Sequence, residues 1–398
     1  MDLLDNLEAC TGCTACANSC SIGAIEMHPN ELGFAYPTVD IDKCVNCCRC
    51  MQVCPKERKL AYSIVNKIVL YGVSRNEDTV LSSSSGGAFS ELVKLIEHKQ
   101  ESFHCYAATF SEGLVKHICI SSSVELYKQK KSKYTQSNLS DTFKKIKQDI
   151  SQRIFVIFVG TPCQVDGLNC YLRHKLYPNL LTIDLLCTGV CSPRLFANHV
   201  KYLEQKNKGN VAGYDMRNKV CVDGKWHIME TEILYSNGGK ESKEKDLFVG
   251  CFRQHIAFRD SCYQCKYTNI SRAGDITLGD YWNDDSDFTK KGFRGISVII
   301  ANTEIGKSWA GELRKIMRLK ETTIEDIVGQ QPALRTSVSR PKYQLPSNVH
   351  TIKGSVKFMK RYYKGPLYIR ILSWLSRLMP MRLSSPLKML YYSILKNK

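Results

Sequence analysis

Nine of the chain's nineteen cysteines fall between Cys10 and Cys54, and eight of those nine repeat one pattern. Cys10, Cys13, Cys16 and Cys20 read CxxCxxCxxxC; Cys44, Cys47, Cys50 and Cys54 read the same, the second copy followed by Pro55. At this spacing three thiolates wrap one cubane and the fourth reaches a second one. The expected sets are therefore Cys10, Cys13, Cys16 with Cys54, and Cys44, Cys47, Cys50 with Cys20. Soft thiolates suit iron–sulfur clusters. A pair of zinc knuckles is the alternative, but these use one CxxC pair plus a second pair or histidines instead of two matched eight-ligand runs. Ser21 stands where the first copy would carry Pro, and Cys48 is a bystander to the pattern.

The spacing is that of bacterial ferredoxins, so residues 1–62 are expected to form a ferredoxin-type domain with two 4Fe–4S clusters. Beyond it, Ser82-Ser83-Ser84-Ser85-Gly86-Gly87 precedes Ala88 to His98, where Phe89, Leu92, Val93 and Ile96 recur at helical spacing. A Ser85-Gly86-Gly87 helix start suits a diphosphate, since unpaired N–H groups and the helix dipole favour an anion and glycine permits close approach; a plain helix cap reads equally from the residues. Thr142 to Gln152 reads as a surface helix. Ile154 to Val159, Leu181 to Leu186 and Ile296 to Ala301 read as strands, the last followed by a helix around Ile305 to Met317. Strands alternating with helices indicate an α/β domain. Neither GxGxxG nor GxxxxGK[ST] occurs, and the nine histidines form no ligand spacing and are taken as structural.

Gly160-Thr161-Pro162-Cys163-Gln164-Val165-Asp166-Gly167-Leu168, Asp184-Leu185-Leu186-Cys187-Thr188-Gly189, Arg259-Asp260-Ser261-Cys262-Tyr263-Gln264-Cys265, Arg272, and Asp275-Ile276-Thr277-Leu278-Gly279-Asp280-Tyr281-Trp282 together resemble the coenzyme F420 hydrogenase/dehydrogenase beta-subunit family. Ser85-Gly86-Gly87 and Lys133-Tyr134-Thr135-Gln136-Ser137 resemble its N-terminal half. The resemblance implies an oxidoreductase that binds FAD and an iron–sulfur cluster and passes electrons between one-electron carriers and a two-electron acceptor. It also implies phosphate contacts from Ser85, Gly86, Gly87 and Ser137. A third 4Fe–4S cluster would be held by Cys163 and Cys187, each just past a predicted strand where open α/β sheets place their sites, with Cys262 and Cys265 as the CxxC half. Buried core cysteines with a surface CxxC are the alternative reading, and Cys191 competes with Cys187.

The expected fold class is thus α/β (α+β overall): a small ferredoxin-like domain (1–62) joined to a larger mixed α/β flavin and iron–sulfur domain. That domain has an FAD-binding part at 71–150 and a cluster-binding part at 151–325. Expected partners are a small-molecule acceptor and a redox protein, either a ferredoxin or a dehydrogenase or hydrogenase subunit. A non-catalytic electron-transfer subunit is the competing function. No acid or base is named, since the cofactor carries the chemistry. Gly279-Asp280-Tyr281-Trp282 could border the flavin or simply close a strand end. Lys291 and Arg294 face an anionic acceptor or are solvated loop charges.

The net charge of +18 resembles a nucleic-acid signature until it is mapped along the chain. Eleven of those charges lie between Lys353 and Lys398, where there is no acidic residue, which leaves +7 for the rest. Nucleic acid is therefore not the expected partner. The tail, residues 340–398, interleaves these cations with Phe358, Tyr362, Tyr363, Trp374 and Tyr391, broken by Pro366, Pro380 and Pro386. It could lie on an anionic membrane face, dock an acidic partner, or pack on its own domain. With an acidic start (Met1-Asp2-Leu3-Leu4-Asp5-Asn6) and no long apolar run, the expected location is the cytoplasm, with peripheral contact at the inner membrane face through the tail.

Overall fold

A computed structural model describes residues 3–363 apart from 57, 61, 244, 245, 284, 291 and 293. The chain opens with α1 (Ala15–Ser19), the antiparallel ribbon β1 (Ile25–Pro29) and β2 (Ala35–Val39), and α2 (Arg49–Gln52). Then follow β3 (Ile68–Ser74), α3 (Glu77–Leu81), α4 (Ala88–Lys99), β4 (Phe103–Ser111), β5 (Leu114–Ile120), α5 (Thr142–Ser151), β6 (Phe155–Gly160), α6 (Pro162–Tyr171), β7 (Leu180–Leu185) and α7 (Pro193–Asn207). The remainder is β8 (Val211–Val222), β9 (Lys225–Tyr235), β10 (Lys240–Lys243), α8 (Leu247–Arg253), β11 (Ile276–Tyr281), α9 (Ser286–Thr289), β12 (Ile296–Ala301), α10 (Glu304–Ile316), β13 (Met317–Glu321), α11 (Ile324–Gln330) and α12 (Ile352–Tyr363).

Eight strands form one sheet in the order β13-β3-β12-β11-β7-β6-β4-β5. Its centre, β4, β6, β7 and β11, is parallel, while β5 at one edge and β12, β3 and β13 at the other run antiparallel to their neighbours. Parallel strands are covered on both faces, hence the unbroken apolar run of β6. Phe155 and Ile157 pack beneath Leu92 and Ile96 of α4 and Leu313 of α10. Val156 and Phe158, on the opposite face by strand alternation, meet Phe143 and Ile146 of α5 and Val165 and Leu168 of α6. The expected strands and helices recur within one residue at each end. The sheet of β8, β9 and β10 is an addition to that expectation; it packs with α7, α8 and α12 into a separate core.

The cysteine-rich module rests on the α5–α6 layer, with Cys13, Ala15 and Val53 sharing that layer's core. Of the three readings of the tail, packing on its own domain holds for α12, whose Val356, Phe358 and Met359 are buried against the domain. The tail beyond residue 363, including Trp374 and the three prolines, lies outside the described residues.

One buried ion pair fixes the loop after Cys265 to the sheet. Asp184 on β7 has no solvent exposure. Its carboxylate accepts from Arg272 Nη2 (3.0 Å) and from the backbone N–H groups of Ala273 (3.0 Å) and Gly274 (3.1 Å). Arg272 also donates to the carbonyls of Tyr267 (2.9 Å) and Leu185 (3.0 Å). Replacing only the cation strands a buried carboxylate, so Arg272→Met should cost about 3–5 kcal/mol of stability, read from the midpoint of urea unfolding.

Candidate functional site

The two cysteine runs interleave in space. Burial drives the Cys13 thiol well above its usual pKa, and the neighbouring Cys16, Cys10 and Cys54 push it the same way. Cys16 is pushed to about 12 by burial, with Cys10, Cys54 and Cys50 adding to it. Cys50 is also raised by burial, and its cysteine neighbours are Cys47 and Cys20. Cys54 of the second run thus stands beside Cys10, Cys13 and Cys16 of the first, and Cys20 of the first beside Cys50 of the second. Cys44 Sγ lies 3.8 Å from Asn46 Oδ1 at the exposed end, and Cys48 is exposed.

A second group of thiols gathers at the carboxyl ends of the parallel strands. Cys163 lies in the first turn of α6, which follows β6 through a Thr161–Gln164 capping box with Pro162 in the first turn. Cys187 follows the end of β7, and Cys262 and Cys265 lie on the loop before β11. Burial raises all four: Cys163 to about 11, Cys262 to about 12, Cys187 well above its usual value, and Cys265 more moderately. Each of the other three thiols adds to the rise at Cys187, which places the four together. Cys191 is fully buried, with its Sγ 3.3 Å from the Ile256 carbonyl, and belongs to the core of the smaller sheet. Among the described residues no three Cys, His, Asp or Glu side chains close to the spacing of a single metal ion; a cubane spans more space and takes a wider set.

Helix α6 links the two groups. Gly167 sits one turn after Cys163, and a Cβ there would come within 2.7 Å of Cys13 Cβ and 2.9 Å of its Sγ. Tyr267 stands between them, its hydroxyl raised by burial, then by Asp166, Cys163, and, less strongly, Cys13. It donates to Asp166 (2.6 Å), as does Tyr62 (2.5 Å). Arg259, 1 % exposed, clamps the junction. Its Nε donates to the Cys10 carbonyl (2.7 Å), Nη1 to Gln136 (2.9 Å), and Nη2 to the Ala35 carbonyl (3.0 Å) and Cys10 Sγ (3.6 Å).

The second thiol group lines a cavity of about 480 Å³ that reaches Thr11 of the N-terminal module. Ser85, Gly87 and Ser137 line it as well, with Gly279, Asp280 and Trp282. Gly87, at φ 95°, makes the turn into α4, a conformation that favours glycine. Ser85 Oγ donates to the Ile296 carbonyl (2.7 Å), and Ser137 Oγ accepts from Gln164 (3.0 Å). Gly86 is not on the wall; a Cβ there would meet the Gly72 carbonyl at 2.3 Å, so its small size serves the packing of the loop on β3. Arg294 pairs with Glu77 (2.7 Å) instead of facing the cavity, and Lys291 lies outside the described residues.

Five of the ten buried side-chain polar atoms left without a hydrogen-bond partner among the described residues belong to residues on this wall: Ser90 Oγ, His117 Nδ1, Gln129 Oε1, and Nε and Nη2 of Arg217. Orphaned polar atoms are costly, so their concentration marks a cavity built for a polar ligand. His117 Nε2 must carry the proton, since it faces the Val159 carbonyl at 2.9 Å. Burial lowers its pKa to about 4, so Nδ1 is an acceptor at neutral pH. Nothing in the spacing of these four residues signals them in the sequence.

Residues 155–327 match the family model for the carboxyl-terminal part of the coenzyme F420 hydrogenase/dehydrogenase beta subunit, and residues 9–57 match the 4Fe–4S dicluster domain. The first span opens on β6 and closes on α11, so it contains all four thiols of the second group. The chain thus carries a carboxyl-terminal domain of the coenzyme F420 hydrogenase/dehydrogenase beta-subunit family at residues 155–327, behind a 4Fe–4S dicluster domain. It is an oxidoreductase-family electron-transfer protein whose N-terminal module holds two 4Fe–4S clusters. It is similar at 14% identity to a chain of the F420-reducing NiFe hydrogenase complex from Methanosarcina barkeri, with a TM-score of 0.45, over 75% of this chain and 92% of that one. Comparison with the curated proteins found no match.

Two substitutions probe how the dicluster module joins the beta-subunit-family domain. Arg259→Met removes the clamp and leaves buried carbonyls unpaired, which should cost at least about 2 kcal/mol and speed proteolysis between the N-terminal module and β3. Gly167→Ala should displace Cys13 and lower the iron content, measured with the EPR spectrum of the reduced protein.

Proposed function

We propose that the protein is an iron–sulfur flavoprotein oxidoreductase. Cys10, Cys13, Cys16 and Cys54 hold one N-terminal cubane, and Cys44, Cys47, Cys50 and Cys20 the other. Cys163, Cys187, Cys262 and Cys265 hold a third, and the cavity takes FAD. The observation that carries the reading is that the four desolvated thiols and the α4 helix start line one cavity. Thiols whose ionisation burial opposes suit a site where iron supplies the compensating charge. FAD, when bound, supplies the conversion between single electrons and a two-electron acceptor.

The chain's own residues divide the remaining work. Ser85, Gly87 and the start of α4 suit the diphosphate. The acceptor atoms of His117, Gln129 and Ser90 suit a donor such as an amino or imide N–H. The exposed Cys47, with Ile41 (84% exposed) and Val45 (67%), gives the second N-terminal cluster an apolar face for a redox partner protein. Among the described residues no helix is long and apolar enough to cross a membrane.

Anaerobically purified protein should contain three cubanes' worth of iron and acid-labile sulfide and one FAD per chain; three clusters without FAD would leave a non-catalytic electron carrier. FAD affinity should also depend on pH. Burial lowers both Lys133, on the cavity wall, and Lys219, whose Nζ donates to the Ser85 carbonyl, to about 7. Both are charged below that value and lose their charge as the pH rises through it. Fluorescence titration should therefore show the Kd for FAD rising above pH 7, by up to about tenfold per pH unit for each lysine.

A further inference from the structure

Arg217 lies on β8 in the run Asp215-Met216-Arg217-Asn218-Lys219, on the small sheet outside the αβ layers, and reaches the cavity from there. It is 5% exposed. Nη1 pairs with Asp280 Oδ2 at 2.5 Å, and the guanidinium carbon lies 5.4 Å from the centre of the Trp282 ring. Nε and Nη2 have no partner within hydrogen-bond geometry, the Tyr134 hydroxyl being the other polar group that acts on the guanidinium beside Asp280. A guanidinium cannot shed its charge when buried, as a lysine can, so two idle donors are a standing cost. Those two nitrogens form one edge of the group, the edge that grips both oxygens of a carboxylate or two oxygens of a phosphate.

We propose that this edge is a binding site for an oxyanion, a carboxylate or phosphate group carried by the two-electron acceptor; the assignment to the acceptor rests on the flavoprotein reading. Two observations favour an exchanging ligand over a resident one. Trp282 is 41% exposed, so the Arg217 end of the cavity lies at its mouth. Asp280 already balances the cation, which lowers the cost of the empty site and suits one anion held reversibly better than a permanently bound diphosphate. The acceptor-lined end is separate: His117 meets Val159 on β6, Arg217 meets Asp280 on β11, and two strand spacings, roughly 10 Å, lie between those strands.

The test uses the anaerobically purified full chain with its cofactors, titrated with inorganic phosphate in one arm and acetate in the other. The flavin absorbance and the Tm are both followed. The wild type should respond saturably to at least one anion, and the responding arm identifies the group. Arg217→Gln should raise the half-saturating concentration ~10- to 100-fold, and Arg217→Lys, which keeps the charge but not the fork, should raise it less. Both variants should keep wild-type flavin and iron contents. A wild type that answers neither anion, an Arg217→Gln protein that answers like the wild type, or one that loses its flavin would each overturn the proposal. Wild-type protein without flavin would sink only the flavoprotein reading, since the Tm titration still decides whether Arg217 binds an anion.

Discussion

A guanidinium with almost no access to water must be satisfied by protein, and Arg259 meets that demand by spanning two parts of the chain. Burying such an ion costs several kcal/mol unless its donors are placed well. Here they reach the carbonyl and sulfur of Cys10, the Ala35 carbonyl and Gln136, while the cation lies 4.2 Å from the centre of the Tyr36 ring. The cysteine-rich module is therefore seated in one orientation. That seating brings Cys13 against Gly167, and so the first cysteine run against the helix that carries Cys163.

Much of this was legible along the sequence, and what was legible was local. The central strands announced themselves as apolar runs because both faces of a parallel strand are covered, and α4 through its spacing and its serine–glycine start. The smaller sheet did not. β8 carries Arg217, Asn218 and Lys219 side by side where its register with β9 slips, breaking the alternation that marks a half-buried strand; each is buried and paired, Arg217 with Asp280, Asn218 with Lys131 and Glu232, and Lys219 with the Val80 and Ser85 carbonyls. His117 and Gln129 are isolated polar residues whose meaning comes only from the strands that surround them. Gly86 and Gly87 look alike in sequence, yet one is required by close packing and the other by backbone conformation.

The cavity has two chemical ends. Near β5 and β6 it offers lone pairs; near β8 and β11 it offers unused N–H groups from a cation. The four desolvated thiols line the same cavity. No single motif encodes this polarity, since it is assembled from α4, β5, β6, β8 and β11 together, and a change in strand order would dissolve it.

That order also shapes how the chain must be made. β3 is hydrogen-bonded on one side to β12 and on the other to β13, both far later in the sequence. During vectorial synthesis it emerges early and waits unpaired, an apolar segment with two bare edges, until nearly the whole large domain has left the ribosome. Such delayed, long-range pairing slows folding and lengthens exposure to aggregation, which makes the nascent protein a natural client for chaperones.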